Sequence, residues 1–512
     1  MPPAPCPLPA RPDLSTAPSR NGRRAAARQA LPRKVAILTP MSPRRLPAAL
    51  LLAAALALPL AAQHADPALA QALLRQLVDT NTTAAAGTTA AARALAQRLL
   101  AAGFPPADVS LLGANPNKLN LVVRYRGTGA KPPILLIGHL DVVQARRQDW
   151  STDPFQLVIK NGYFYGRGTQ DMKDGDAIFL ATLLQFKQEN YQPDRDIILA
   201  LTAAEEGGAD NGVQWLLAHR RALIQAAFVL NADGGGVDAV HGQPQFLAVD
   251  ASEKLYADFQ LSTTNPGGHS SLPVPDNAIY HLTDGLARLQ RFQFPFELNS
   301  VTRGFFRAYS RLDSGQRAAD QRAILATPPD PAALRRLSAD PLFNATLRTT
   351  CVPTRLSAGD ANNALPQNAE AIVNCRIMPG HSALDIQRQL VSILADPKIT
   401  VRYVDDAGGI RGQAPDAVSN PPVQLSPEVM RPLQALANQM WHGLPVVPDM
   451  ATGASDGKYT NAAGMPTYAL SGVSIDEDDV RAHGRDENLA VASFDTGAQF
   501  YYRFLKLLTG GR

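Results

Sequence analysis

Cysteine is scarce: the 512-residue chain holds three, Cys6, Cys351 and Cys375, and none lies in a CxxC spacing. A cysteine-based zinc knuckle is therefore not indicated, although Cys351 and Cys375 could oxidise to a disulfide in an exported chain. No Walker-type run occurs, which removes the phosphate cradle that nucleotide chemistry needs. No internal repeat is found either. Long apolar runs are lacking with one exception, Leu46–Ala62, which follows Arg44 and Arg45, is broken by Pro47 and Pro59 and ends in small residues. That layout over residues 41–62 is a secretory signal peptide cleaved near Ala62, with an uncleaved membrane anchor as the alternative. Residues 1–40, rich in Pro, Ala and Arg without amphipathic period, read as a disordered or untranslated extension, Met41 being the alternative start.

Net basicity is also missing once that leader is set aside. Residues 1–62 carry nine of the 49 Lys+Arg but one of the 45 Asp+Glu, so the formal charge moves from +4 to −4 without them. Nothing in this balance argues for a nucleic-acid partner. The expected location is periplasmic or secreted, with no stable membrane span after processing.

What is present is ample material for a core, 45% hydrophobic residues, in a chain too long for one ordinary domain. Short apolar runs, LNLVVRY, ILLIG, DIILAL and AAFVLN, alternate with helical patterns around 177–188 and 213–221. This predicts an α/β fold with a central, mostly parallel sheet, whose ligands sit beyond the carboxyl ends of the strands. Asn161-Gly162, between alternating residues, predicts a tight hairpin. After Ala251 the texture changes to alternating strands. Residues 63–251 and 406–512 are therefore assigned to one domain, interrupted by a second domain over 252–405 that contains a helical insertion over about 303–346.

Acidic residues and histidines gather at the predicted strand ends: His139 and Asp141 after ILLIG, Asp171 after the hairpin, Glu205 and Glu206 after DIILAL, Asp233 after FVLNA, and His483 in AHGRDE. Each alone is ordinary turn chemistry. Together they supply the oxygen and nitrogen donors suited to Zn²⁺, and a metal pair would offset the repulsion among the carboxylates.

The blocks GHLDVV, YGRGTQDMKDG, TAAEEGG, NADGGG and AHGRDE, in this order, resemble the signatures of the M20 family of di-zinc metallopeptidases and amidohydrolases, a group that includes carboxypeptidases, dipeptidases, aminoacylases and deacetylases. The resemblance implies a ferredoxin-like lid as the second domain and a homodimer through it. It implies two Zn²⁺ (Co²⁺ or Mn²⁺ as substitutes), one held by His139 and Asp233, the other by Glu206 and His483, with Asp171 bridging and a cis bond before Met172. Asp141 would hold the His139 imidazole and fix its tautomer. Glu205 would be the general base.

The resemblance further makes His269 an oxyanion-stabilising residue offered to a partner subunit, and Asn363 and Arg376 contacts for a substrate carbonyl or carboxylate. Lys458, in GASDGKY, stands where the family often has Arg, which trades a bidentate fork for a point charge. Ala204 stands where Asp is frequent, and Asp233 is the shorter of the Asp/Glu alternatives, which leans the reading toward peptides. The expected activity is hydrolysis of small peptides or N-acyl amino acids. A non-catalytic peptide-binding protein of the same fold, and a di-metal hydrolase of phosphate or other esters, are the alternatives.

Overall fold

A computed structural model describes residues 64–207, 209–417 and 421–510; the extension and signal peptide expected over 1–62 lie outside them. Among the described residues the central sheet has 10 strands. Across it run Val109–Leu112, Asn120–Tyr125, Ile197–Thr202, Ile134–His139, Val229–Asn231, Thr467–Ala469, Gln243–Glu253, Gly236–Val240 and Ser474–Asp476, with Val446–Ala451 paired to Gln243–Glu253 off this path. The four strands from Ile197–Thr202 to Thr467–Ala469 are mutually parallel, whereas the neighbours on either side of that block run antiparallel. The parallel character predicted for the sheet is thus concentrated at its centre, and the sheet as a whole is mixed.

The central strands are buried at every position because both faces are covered, and they are apolar except near their ends. Ile197, Leu199 and Leu201 pack with Phe179 and Tyr501 of the helices Lys173–Gln188 and Val491–Thr509. Ile198 and Ala200 face the other way, onto Leu216 and Ile224. The hairpin forms at Asn161 (φ 53°) and Gly162 (φ 80°), two positive φ values in succession between Val158–Lys160 and Tyr163–Tyr165. Asn and Gly are the residues that adopt that geometry at least cost. Asn488–Ala490 adds a third strand. Among the described residues no helix is long and apolar enough to cross a membrane.

A separate antiparallel sheet forms the lid, in the order Thr350–Ala358, Asn368–Ile377, Leu255–Thr264, Thr400–Val404 and Ile410–Arg411. Helices Ala278–Arg291 and Ala383–Leu394 cover one of its faces through Leu282, Leu289, Ile386 and Leu390. The helical insertion forms four helices between Ser300 and Leu347. These pack Phe305, Phe306 and Phe343 onto Phe246, Ala248 and Val447 of the central sheet. The insertion therefore shields the flank of the central sheet even though the chain reaches it from within the lid.

Cys351 and Cys375 are directly paired across adjacent lid strands and joined by a disulfide, 24 positions apart in sequence. Closing a loop of that length stabilises by about 3 kcal/mol through the unfolded state. Replacing both cysteines by alanine is expected to cost that much in denaturant unfolding; equal stability of the variant and the oxidised parent would remove the disulfide from the account.

Candidate metal centre

Register brings the site residues together. His139 pairs with Thr202 and Ile137 with Asn231, so three parallel strands end side by side and their loops open on one edge. After Thr202 the chain turns at Ala204 in the left-handed region (φ 59°). The backbone N–H groups of Glu205 and Glu206 then donate to the two carboxylate oxygens of Asp141, both at 3.1 Å. This clamp separates the two glutamate side chains. Glu205 points an oxygen to 3.9 Å from His139 Nε2, whereas Glu206 reaches His483 Nε2 at 2.9 Å.

Asp141 holds the His139 imidazole through its main chain. His139 Nδ1 lies 3.0 Å from the Asp141 main-chain carbonyl, and the nearest carboxylate oxygen is 4.0 Å away. The carboxylate is occupied by two consecutive N–H donors, so the carbonyl sets the imidazole tautomer. With the proton on Nδ1, Nε2 is free to bind a metal.

Asp171 sits between the two histidines, Oδ1 at 3.1 Å from His139 Nε2 and Oδ2 at 3.0 Å from His483 Nε2. Ligand atoms of His139, Asp171 and Asp233 lie within 4.8 Å of one another, as do those of Asp171, Glu206 and His483. Two three-residue groups thus share one carboxylate, as the bridging role demands. The Asp171–Met172 peptide bond is cis.

Charge supports the same assignment. Burial, together with the charge of Asp171, pushes the Asp233 carboxyl up to about 8. Burial likewise raises Glu205 well above the usual carboxylate range, with Asp233, Asp456 and Glu206 adding to the effect against the pull of His139. Hydrogen bonds to Asp171 and Glu206 push His483 up to about 10. So many acids in so little solvent are compatible with ionisation only beside cations, and the nitrogen and carboxylate donor set fits a pair of divalent ions such as Zn²⁺.

Two positioning elements were not singled out from sequence. Glu487, fully buried, accepts the N–H groups of Gly168, Gln170 and Asp171 and pairs with Arg167 at 2.5 Å. It ties the Asp171 loop to the segment that carries His483; its only visible signal was its place at the end of AHGRDE. Asp456 accepts from Thr202 Oγ1 at 2.9 Å and from Asn211 Nδ2 at 2.7 Å, beneath the Glu205 turn.

The substrate-contact candidates are more dispersed. Arg376 lies on the lid with its guanidinium 4.7 Å from the centre of the Tyr256 ring, and the charge of Glu205 acts on it. Lys458 Nζ lies 4.7 Å over the ring of Tyr459, and its charge acts on Glu253 and Asp456. His269 and Asn363 are exposed on a two-stranded ribbon, where His269 Nδ1 pairs with Ser271 Oγ at 2.8 Å and the Asn363 carbonyl accepts from Ser270 N–H at 3.0 Å. Among the described residues neither hydrogen-bonds to the metal centre.

The model of "Peptidase family M20/M25/M40" matches residues 135–507. The chain is 27% identical over 384 residues to the N-fatty-acyl-amino acid synthase/hydrolase PM20D1 of Xenopus tropicalis, covering 73% of this chain and 72% of that one. It is 27% identical over 415 residues to a probable carboxypeptidase S-like 2 of Dictyostelium discoideum, 76% and 75% of the two chains being covered. The crystal structure of an M20 family metallo-carboxypeptidase from Sulfolobus solfataricus superposes with a TM-score of 0.65 at 17% identity, over 86% of this chain and 99% of that one. With the family model spanning both halves of the metal centre, the chain belongs to peptidase family M20/M25/M40.

Proposed function

We propose that the protein is an exported metal-dependent hydrolase that cleaves the amide bond of small peptides or N-acyl amino acids carrying a free carboxylate. The observation that carries this reading is the pair of ligand groups sharing Asp171, with Glu205 beside them and a member of neither. When bound, the two divalent ions, Zn²⁺ by the donor set, would supply Lewis acidity toward the amide carbonyl and acidify the attacking water. Glu205 takes the proton of that water and hands it to the departing amine. Asp141 keeps Glu205 and Glu206 apart through their backbone, so one serves as base while the other is a ligand. Arg376, held over the Tyr256 ring, offers its fork to the substrate carboxylate. The relatives' names, one for fatty-acylated amino acids and one for a carboxypeptidase, support substrates of this kind.

Export is supported by the layout of residues 41–62 and by the Cys351–Cys375 disulfide, which suits an oxidising compartment. A homodimer through the lid would give the exposed His269 and Asn363 a second copy's metal centre to serve. Zinc-loaded protein spanning residues 63–512, incubated with a mixed library of dipeptides and N-acyl amino acids and read by mass spectrometry, tests the reading. Amide cleavage is expected, with C-terminal carboxamide analogues left intact. Hydrolysis of phosphate esters but of no amide would overturn it.

A further inference from the structure

The strand Gln243–Glu253 carries two carboxylates into one cavity. Along a regular strand Asp250 and Glu253, three positions apart, would point to opposite faces. Ala251 is an extra residue here: Asp250 pairs with Asp449 and Ser252 with Met450 of the parallel neighbour, a β-bulge that shifts the alternation by one. Asp250, Ser252 and Glu253 all line a cavity of about 140 Å³ whose wall also includes the metal ligand Asp233. The rest of the lining is mostly small, with Ala451, Ala454 and Ala469 among it.

The two acids that the strand contributes are balanced differently. Glu253 Oε2 accepts from the Ser455 N–H and from Ser455 Oγ, both at 2.8 Å, and the charge of Lys458 acts on it. Asp250 Oδ2 accepts from the Gly235 N–H at 2.9 Å; among the described residues Oδ1 accepts no hydrogen bond, and no cation pairs with either oxygen. The neighbour of Asp250 across the sheet is another acid, Asp449, and no basic group opposes the burial that raises both carboxyls. Ser252, 5% exposed, has its Oγ buried without a partner. Small, largely apolar walls with an unbalanced carboxylate and an unpartnered hydroxyl suit an aliphatic stem ending in an ammonium, whose three N–H groups need acceptors.

We propose that this cavity is a specificity pocket for a cationic side chain of the lysine type on a residue beside the scissile amide, with Asp250 receiving the ammonium. Asp233 borders both the cavity and the metal centre, so a side chain next to a bond held at the metals can enter from that wall. The inference deepens the hydrolase reading above and rests on it for turnover. Norleucine is lysine with the ammonium replaced by hydrogen, which makes the pair a probe of the charge alone.

The test compares Ala-Lys and Lys-Ala with Ala-norleucine and norleucine-Ala, as turnover by the zinc-loaded protein and as calorimetric binding to zinc-loaded Glu205→Gln. The binding arm reads the pocket even where no amide is cleaved, which separates its failure from that of the hydrolase reading. In one of the two positions lysine is expected to exceed norleucine on the order of ten- to a hundredfold in kcat/KM and in affinity, the effect of one charge-assisted contact. Asp250→Asn, which keeps an acceptor for the Gly235 N–H, should cut that ratio on the order of tenfold, and Ser252→Ala should lower it less. If Asp250→Asn does not fold, the parent's ratio and Ser252→Ala carry the test. Equal handling of lysine and norleucine in both positions, or a ratio that Asp250→Asn leaves unchanged, would overturn the proposal. So would tighter binding of Ala-Glu than of Ala-Lys, because the cavity would then be read through Lys458.

Discussion

Glu205→Gln is expected to lower kcat by about 10²–10⁴-fold, the usual contribution of a general base, while the protein still binds its metal. The amide is nearly isosteric with the carboxylate, and the backbone N–H of residue 205 keeps its bond to Asp141. The turn that presents Glu206 as a ligand should therefore survive. Glutamine can orient a water but cannot take its proton. The interaction lost is one made in the transition state, so kcat and kcat/KM should fall together. Metal content by elemental analysis, beside turnover of whichever peptide or N-acyl amino acid the library identifies, checks both halves. Near-normal turnover would exclude Glu205 as the base, and loss of metal would recast it as a ligand.

Glu487→Ala is expected to have the largest effect on stability, about 3–5 kcal/mol, because it leaves the Arg167 charge buried and uncompensated. It also removes the acceptor for three N–H groups, those of Gly168, Gln170 and Asp171. The Asp171 loop and the His483 segment then lose their common anchor, and zinc affinity should fall about 10–100-fold, as when a partner orienting metal ligands is removed. Glu487→Gln, which keeps an acceptor and loses the charge, should lie between the two. Chemical unfolding and a competitive zinc titration give the two quantities. Unchanged zinc affinity in the alanine variant would mean that the Asp171 loop holds its shape without Glu487.

Much of the centre could be read from the chain because its chemistry is local to strand ends. A buried strand followed by a Gly-rich turn with Asp, Glu or His is an economical way to hold a metal ligand, and five such blocks in order named His139, Asp171, Glu206, Asp233 and His483. Asn161-Gly162 was legible for a similar reason, since few other dipeptides accept two positive φ values. The sequence placed Asp141 at His139 without saying which of its atoms makes the contact. Whether its carbonyl or its carboxylate faces His139 depends on a loop more than sixty residues later in the chain that claims the carboxylate.

Other features had no local signature at all. Glu487 acts on backbone groups 316 to 319 residues earlier in the chain, and a carboxylate that binds main-chain N–H groups needs no particular partner residue to announce it. The inserted helices carried an amphipathic pattern, but a pattern shows that a face is apolar without showing which sheet it will cover.

By itself, then, the sequence determined which residues could bind metal and act as base, and the order of strands and helices that would carry them, because side-chain chemistry and backbone periodicity are properties of short segments. The tertiary structure decided how those side chains pair: which oxygen of Asp141 meets which donor, and how Glu487 joins two loops. Those outcomes depend on distances between segments far apart in the chain, which are settled only when the two sheets and their helices pack.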